Sequence, residues 1–340
     1  MFDSLTINIG LFLVAAFVIA VVGVRLTKVA DRLADRTGLG EAVVGALLLG
    51  ATTSLPGIVT SVTAAATGHP ELSISNALGG IAAQTAFLAI ADIFYHKANL
   101  EHAAASAANL SQGTLLVSLL AFPLLAASAP AVNFWGIHPM SLVLPLAYLF
   151  GLRLVASARE TPMWSPTQTP ETRVDEPEEE DTSGGTKGLW TKMALFAPMI
   201  AAAGYVVART GSAIADQTGL SQTVVGGLFT AVSTSLPELV TSIAAVRQGA
   251  LTLAVGDIIG GNSFDVLFIA FADIAYRPGS IYHALTESQT FIIALTVLMT
   301  GILILGLLRR EKHGIGNVGF ESFLIPLLYV GGFVLLFIRN

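Results

Sequence analysis

The sequence predicts an all-α polytopic membrane protein with ten transmembrane helices in two inverted five-helix repeats. Three observations predict it. The 340 residues are 54% hydrophobic and only 12% charged, whereas a soluble domain carries about 25% charged residues. The apolar residues gather in ten runs, each near the roughly 20 residues that cross a bilayer as a helix. The chain also matches itself when slid by 181 residues without a gap: 26 of the 60 positions in 34–93 are identical in 215–274. Such self-similarity means duplication. Each copy holds five runs, an odd number, so the copies must lie in the membrane with opposite orientation about an axis in its plane.

The elements follow in order. The first run, 5–24, has no convincing cleavage site after it and reads as a retained helix rather than a signal peptide. Runs 40–67, 72–94, 108–128 and 136–157 complete the first repeat, residues 1–157, whose duplicated segment is 38–93. Residues 158–188 contain TPETRVDEPEEEDTSGGTKG, rich in Pro, Gly, Thr and acids with little to bury, and predict a disordered acidic linker. Runs 189–208, 220–246, 250–274, 284–307 and 320–338 form the second repeat, residues 189–340, with its duplicated segment at 219–274.

Charge sets the expected orientation. With ten spans, fourteen of the seventeen Lys and Arg residues fall on one side, and only Arg209, Arg277 and Arg339 on the other. This bias predicts both termini outside, the linker in the cytoplasm, and residence in the cytoplasmic (inner) membrane. Trp190 and Trp135 stand at opposite edges of their spans, where amphipathic rings belong. The absence of cysteine excludes disulfides, thiolate metal sites and Cys nucleophiles. The lipid bilayer is one expected partner; no nucleic acid or resident cofactor is expected, and the chain is expected not to be an enzyme.

The duplicated motif falls where a midplane site belongs. Thr53-Ser54-Leu55-Pro56 lies mid-span in the first copy and Thr234-Ser235-Leu236-Pro237 in the second. A proline inside a helix frees the carbonyl four residues back, here those of Thr52 and Ser233. Freed backbone in a bilayer is tolerated only inside protein or along a wet cavity. Carbonyls, hydroxyls and a carboxylate make an oxygen-only set suited to Na+, Ca2+ or Mg2+. Glu238 follows the second motif, with no Lys or Arg in the motif spans to pair with it, so a cation or a proton is its expected partner. On the next span of each repeat, the second copy offers Asp257, Asn262, Ser263 and Asp265; the first offers Ser75, Asn76 and Gln84. Asn262 and Asp265 share a helix face, whereas Asp257 and Asp265 stand about 12 Å apart along the helix, too far to hold one ion together. Asp92 and Asp273 end these spans and read as interface or cap residues.

At these residues the chain resembles the cation/calcium exchanger superfamily, which includes the sodium/calcium exchangers. STSLPELVTS (233–242) followed by GDIIGGNSFDV (256–266) matches that family's second repeat motif. The resemblance implies ten spans in inverted halves, Glu238 as a ligand of the divalent ion with help from Thr234 and Ser235, and Asn262 and Asp265 on the facing helix. The first repeat departs from the pattern. Thr53 and Ser54 match, but Gly57 stands where the family has a second glutamate, Gly80-Ile81 replaces Ser-Asn, and Gln84 takes the last position.

That departure leaves three readings of the site. Asp257 or Asp265 supplies the second carboxylate and Ca2+ remains the cargo; the site carries a monovalent cation or a proton; or it takes a partly hydrated Mg2+, with waters in the gap beside Gly57. The expected function is secondary antiport of a divalent cation, Ca2+ favoured, for Na+ or H+ by alternating access at a midplane site. Mg2+ exchange, Na+/H+ exchange, and a cation channel or sensor that has lost exchange are the alternatives. Two-carboxylate logic further predicts that Gly57→Glu raises Ca2+ affinity.

Overall fold

Apolar periodicity becomes helix throughout the computed structural model, which describes residues 4–37, 51–93, 99–130, 132–167, 169, 186–248, 251–312 and 319–339. The first helix, α1, spans Leu5–Thr37, well past the run that ends at 24. It continues because residues 25–33 keep an amphipathic pattern: Leu26, Val29, Ala30 and Leu33 are buried while Arg25, Lys28 and Arg32 are exposed. At about 50 Å it exceeds the bilayer core, and its basic end projects beyond the apolar run.

The remaining elements are α2 (Leu55–Ala66), α3 (Pro70–Ile93), the short α4 (Leu100–Ala104), α5 (Ala107–Ser128), α6 (Met140–Glu160), α7 (Thr186–Thr218), α8 (Gln222–Thr234), α9 (Leu236–Gln248), α10 (Leu251–Asp265), α11 (Leu267–Ala275), α12 (Glu287–Arg309) and α13 (Phe320–Arg339). Among the described residues, eight helices are long and apolar enough to cross a membrane, and the bent pair α8–α9 makes a ninth. The tenth expected span, 40–67, begins outside the described residues, and α2 is its second part. Of the expected linker, the described residues are 158–167, 169 and 186–188. α6 runs on to Glu160, and the Arg310 guanidinium donates to the Thr167 carbonyl at 2.7 Å.

The 181-residue offset governs far more of the structure than the sequence match covers. α1 and α7, α2 and α9, and α3 and α10 begin 181 residues apart, and so do α4 and the 3-10 turn Ile281–Ala284. The starts of α5 and α12, and of α6 and α13, keep the same spacing to within one residue. Contacts follow the offset too. A Cβ on Gly23 of α1 would stand 2.5 Å from Pro237 Cγ, and one on Gly204 of α7 would stand 2.8 Å from the Pro56 carbonyl oxygen. Each long helix therefore packs against the proline of the opposite half, and Thr60 Oγ1 donates to the Gly204 carbonyl at 3.1 Å.

Burial divides the helices into core and shield. The apolar window of α3 is 94% buried and that of α10–α11 72%, against 28–39% for α1, α5, α6 and α7. The two helices that carry the polar motifs are thus the innermost, while Leu13, Phe17, Phe150, Phe323 and Phe337 face outward as a lipid-facing surface requires. Asp92 and Asp273 tie the ends of the core helices to the turns that follow. Asp92 Oδ1 accepts from Leu100 N at 2.7 Å and Asp273 Oδ1 from Ile281 N at 2.8 Å. Asp273 Oδ2 also accepts from His138 N and Ser141 Oγ, both at 2.7 Å. Beside Asp92, Glu101 is buried, and burial together with Asp92 and Glu321 pushes its carboxyl well above the usual range.

The glycine contacts carry a measurable consequence. Gly204→Ala sets a methyl against Pro56 backbone and is expected to cost about 1–3 kcal/mol. Gly10→Ala, with nothing within 4 Å of the added methyl and inside a helix, is expected to be neutral or stabilising by up to about 1 kcal/mol. Thermal melts of the two variants in detergent check this; equal melting would contradict the close approach of α7 to α2.

Candidate cation site

The two motif prolines break their spans. α8 and α9 meet at 46° across Ser235, because Pro237 has no N–H and its ring clashes with the preceding turn. Ser235 takes φ −98°, ψ 8°, and its counterpart Ser54 takes φ −82°, ψ 0°. Both lie in the sparsely populated region between helix and strand. Ser54 occupies the N-cap of α2, yet its hydroxyl makes no cap bond. It reaches across to the other repeat, donating to Asp265 Oδ1 at 2.5 Å. Just before the second break, Val225–Thr230 form a π-helical turn, a distortion common at functional sites. Its Gly226 and Gly227 let the backbone press against α3, where a Cβ on Gly79 would collide with Gly227.

Between the breaks and the core helices lies a cavity of about 10 Å³, about the room one water molecule needs. Its polar lining is Ser54, Asn76, Gln84, Thr234, Ser235, Glu238 and Asp265, completed by Gly57, Gly80 and Phe268. Gln84 Nε2 donates to Asp265 Oδ2 at 2.7 Å and to Ser235 Oγ at 3.2 Å. Both oxygens of Asp265 thus accept from the first repeat. Asn76 Nδ2 donates to the Gly57 carbonyl at 3.3 Å and to Ser61 Oγ at 2.9 Å, while its Oδ1 accepts from Thr230 Oγ1 at 2.7 Å. Glu238 Oε2 and Gln84 Oε1 are buried without a hydrogen-bond partner. Glu238 and Asp265 line the same cavity, and no Lys or Arg does. Two carboxylates so placed call for a cation or protons between them.

The other candidates lie outside this lining. Ser233 Oγ is turned back to the Phe229 carbonyl at 2.7 Å, and Thr52 and Thr53 precede the first break without reaching the cavity. Asn262, fully buried, donates from Nδ2 to Thr85 Oγ1 at 3.0 Å, and its Oδ1 has no hydrogen-bond partner. Asp257 is exposed. Of the two aspartates expected as partners of Glu238, the cavity lining contains Asp265 and not Asp257. Among the described residues no group of three or more His, Cys, Asp or Glu is arranged to hold a metal ion, so the donors here are two carboxylates, hydroxyls and amides.

The gap expected beside Gly57 is filled. A Cβ on Gly57 would stand 2.6 Å from Phe268 Cε2 and 3.2 Å from its Cζ, so the phenyl ring takes the space a glutamate side chain would need. Gly57→Glu therefore cannot simply add a carboxylate: its side chain would have to displace the ring. Phe268 is the lining residue that sequence reasoning missed. The available signal was its spacing: three residues after Asp265, it shares that residue's helix face.

The chain is similar to known membrane proteins along most of its length. The family described as Sodium/calcium exchanger protein matches residues 7–156 and 187–338, leaving out the acidic linker. Inner membrane protein YrbG of Escherichia coli (strain K12) is 28% identical over 324 residues, covering 91% of this chain and 89% of that protein. The sodium/calcium exchanger MaX1 of Methanosarcina acetivorans is 29% identical over 149 residues, 43% of this chain and 42% of its own. Among solved structures, the sodium-calcium exchanger NCX_Mj, soaked with Na+ and Sr2+, superposes with a TM-score of 0.60 at 20% identity, covering 97% of this chain and 99% of that one. That likeness shows a shared fold.

The hydrogen bonds onto Asp265 can be tested without any transport assay. Ser54→Ala and Gln84→Leu each remove a donor from a buried carboxylate and are expected to lower stability by about 1–3 kcal/mol. Because both act on Asp265, the double variant is expected to lose less than the sum. Cation-free thermal melts measure the coupling; strict additivity would mean that the two donors do not share one acceptor.

Proposed function

The chain belongs to the sodium/calcium exchanger protein family, and from that membership we propose that it is a secondary active antiporter. It exchanges a divalent cation, Ca2+ first among them, for Na+ or H+ by alternating access at the cavity between the broken helices. The observation that carries this reading is the pair Glu238 and Asp265 on one small cavity of neutral oxygen donors, with no basic residue in the lining. Two ionised carboxylates neutralise one divalent cation. A monovalent ion, or a proton on one carboxylate, leaves a different balance, so the two kinds of ion compete for the same charge.

Coupling follows from electrostatics. An unloaded site with two charges is costly to carry through low dielectric, whereas a loaded one is not, so the protein turns over only when a cation replaces the one released. The 181-residue register and the crossed Gly23–Pro237 and Gly204–Pro56 contacts support ten spans in two inverted five-helix repeats. In that arrangement α1 and α7 slide on the opposite half's broken helix and expose the cavity to each side in turn. The fourteen-to-three distribution of Lys and Arg supports external termini and a cytoplasmic linker, and the similarity to an inner membrane protein supports the cytoplasmic membrane.

Purified protein in proteoliposomes is expected to take up Ca2+ when an outward Na+ or H+ gradient is imposed. Glu238→Gln and Asp265→Asn are expected to reduce this uptake by about a hundredfold or more, as loss of one of two buried charges predicts. Asp257→Asn, exposed and outside the cavity, is expected to retain it. Ca2+ flux indifferent to either gradient would mean a channel. Undiminished uptake by Glu238→Gln would remove the site assignment, and no Ca2+ uptake at all would turn the search to Mg2+ or Na+/H+ exchange.

A further inference from the structure

Resting on that reading of the cavity, we propose that Phe268 is a specificity-determining residue of the exchange site. Its ring stands where a first-repeat carboxylate would enter, confines the coordinating charge to Glu238 and Asp265, and sizes the site for one small cation stripped of water.

Three ring atoms of Phe268, Cε2, Cζ and Cδ2, would lie within 3.6 Å of a Cβ on Gly57, so the ring lies closely over that residue. It is also held from behind. Phe268 packs edge-on against Phe264 with centroids 6.3 Å apart, and Phe264 packs in the same way against Tyr148 of α6 at 5.8 Å. Phe268 and Tyr148 are 3% and 2% exposed, so the ring is enclosed on the side away from the cavity by the two aromatic neighbours. On its other side the Gly57 carbonyl is fixed by Asn76. The wall is therefore made of two parts that exclude each other's larger forms: a residue without a side chain and a ring that uses the room.

A phenyl ring offers a cation neither an oxygen ligand nor a formal charge. A cavity of about 10 Å³ bounded in this way has room for about one water-sized ligand, short of the several waters that Mg2+ retains. It also resists an ion larger than Ca2+, because the wall that would have to retreat is braced by two further rings. Selectivity in such a site comes from the space available and from the number and placement of ligands, and Phe268 limits both.

Ca2+, Mg2+ and Ba2+ titrations of the purified full-length protein, read as shifts in melting temperature, give relative affinities with no transport step. Wild type is expected to bind Ca2+ in preference to both other ions. Phe268→Ala is expected to reduce the Ca2+-over-Ba2+ preference by about tenfold, the order of effect of reshaping one wall of a binding pocket. Gly57→Glu alone is expected to weaken Ca2+ binding, because the carboxylate meets the ring. Gly57→Glu combined with Phe268→Ala is expected to bind Ca2+ more tightly than wild type. If Phe268→Ala does not fold, Phe268→Leu serves in its place. An unchanged ion preference in the folded Phe268 variant overturns the role of Phe268 while leaving the exchange reading intact. So does tighter Ca2+ binding by Gly57→Glu with the ring in place. Absence of any cation-induced shift in wild type overturns the exchange reading and the role of Phe268 with it.

Discussion

Two carboxylates, Glu238 and Asp265, face one small cavity in the middle of the bundle, and no basic side chain lines it. Much of the surrounding structure answers that constraint. Buried charge in a bilayer is tolerated only when hydrogen bonds, an opposite charge or protons compensate it. Asp265 has its compensation built in: the Ser54 hydroxyl on one oxygen and the Gln84 amide on the other. Glu238 does not, since its Oε2 has no partner. The broken helices serve the same end. Pro56 and Pro237 interrupt the spans at the depth where Ser54 and Ser235 must turn from helix caps into site residues.

The halves share a plan and divide the work. The first repeat contributes neutral donors, Ser54, Asn76 and Gln84, and the second contributes both charges. Gly57 and Gln84 occupy the first-repeat positions that correspond to Glu238 and Asp265. Gln84 keeps the length to reach Asp265 but exchanges charge for a donor, and Gly57 gives up its side chain to a ring from the opposite repeat. The duplicated architecture has thus become chemically one-sided without losing its geometry.

The membrane class, the span order and the duplication were legible in the sequence because apolar run length and self-similarity survive substitution. Element boundaries were less so. α1 runs thirteen residues past the apolar run ending at 24 because an amphipathic pattern, not a uniformly apolar one, carries it along α7. Within the site, Glu238, Ser54, Ser235, Gln84 and Asp265 could be read from the motifs, since charged and polar groups at mid-span need a reason to be there. The choice between Asp257 and Asp265 required three dimensions: one helix displays both, and only packing decides which faces inward. For Phe268 the spacing from Asp265 was the one signal, and it was weak, because a phenylalanine in an apolar helix looks like every other core residue until its neighbour proves to be a glycine.

The crossed packing of the two long helices also bears on how the protein is made. Gly23 is shaped for Pro237, and Gly204 for Pro56. When the ribosome has released the first half, the groove over Pro56 has no cover, and the glycine face of α1 has nothing to close upon. Both wait for a helix synthesised much later. A truncated product ending in the acidic linker would thus leave a broken helix and its polar turn open to lipid. The cavity lining comes from both halves, so it cannot be complete until α11, which carries Phe268, has entered the membrane.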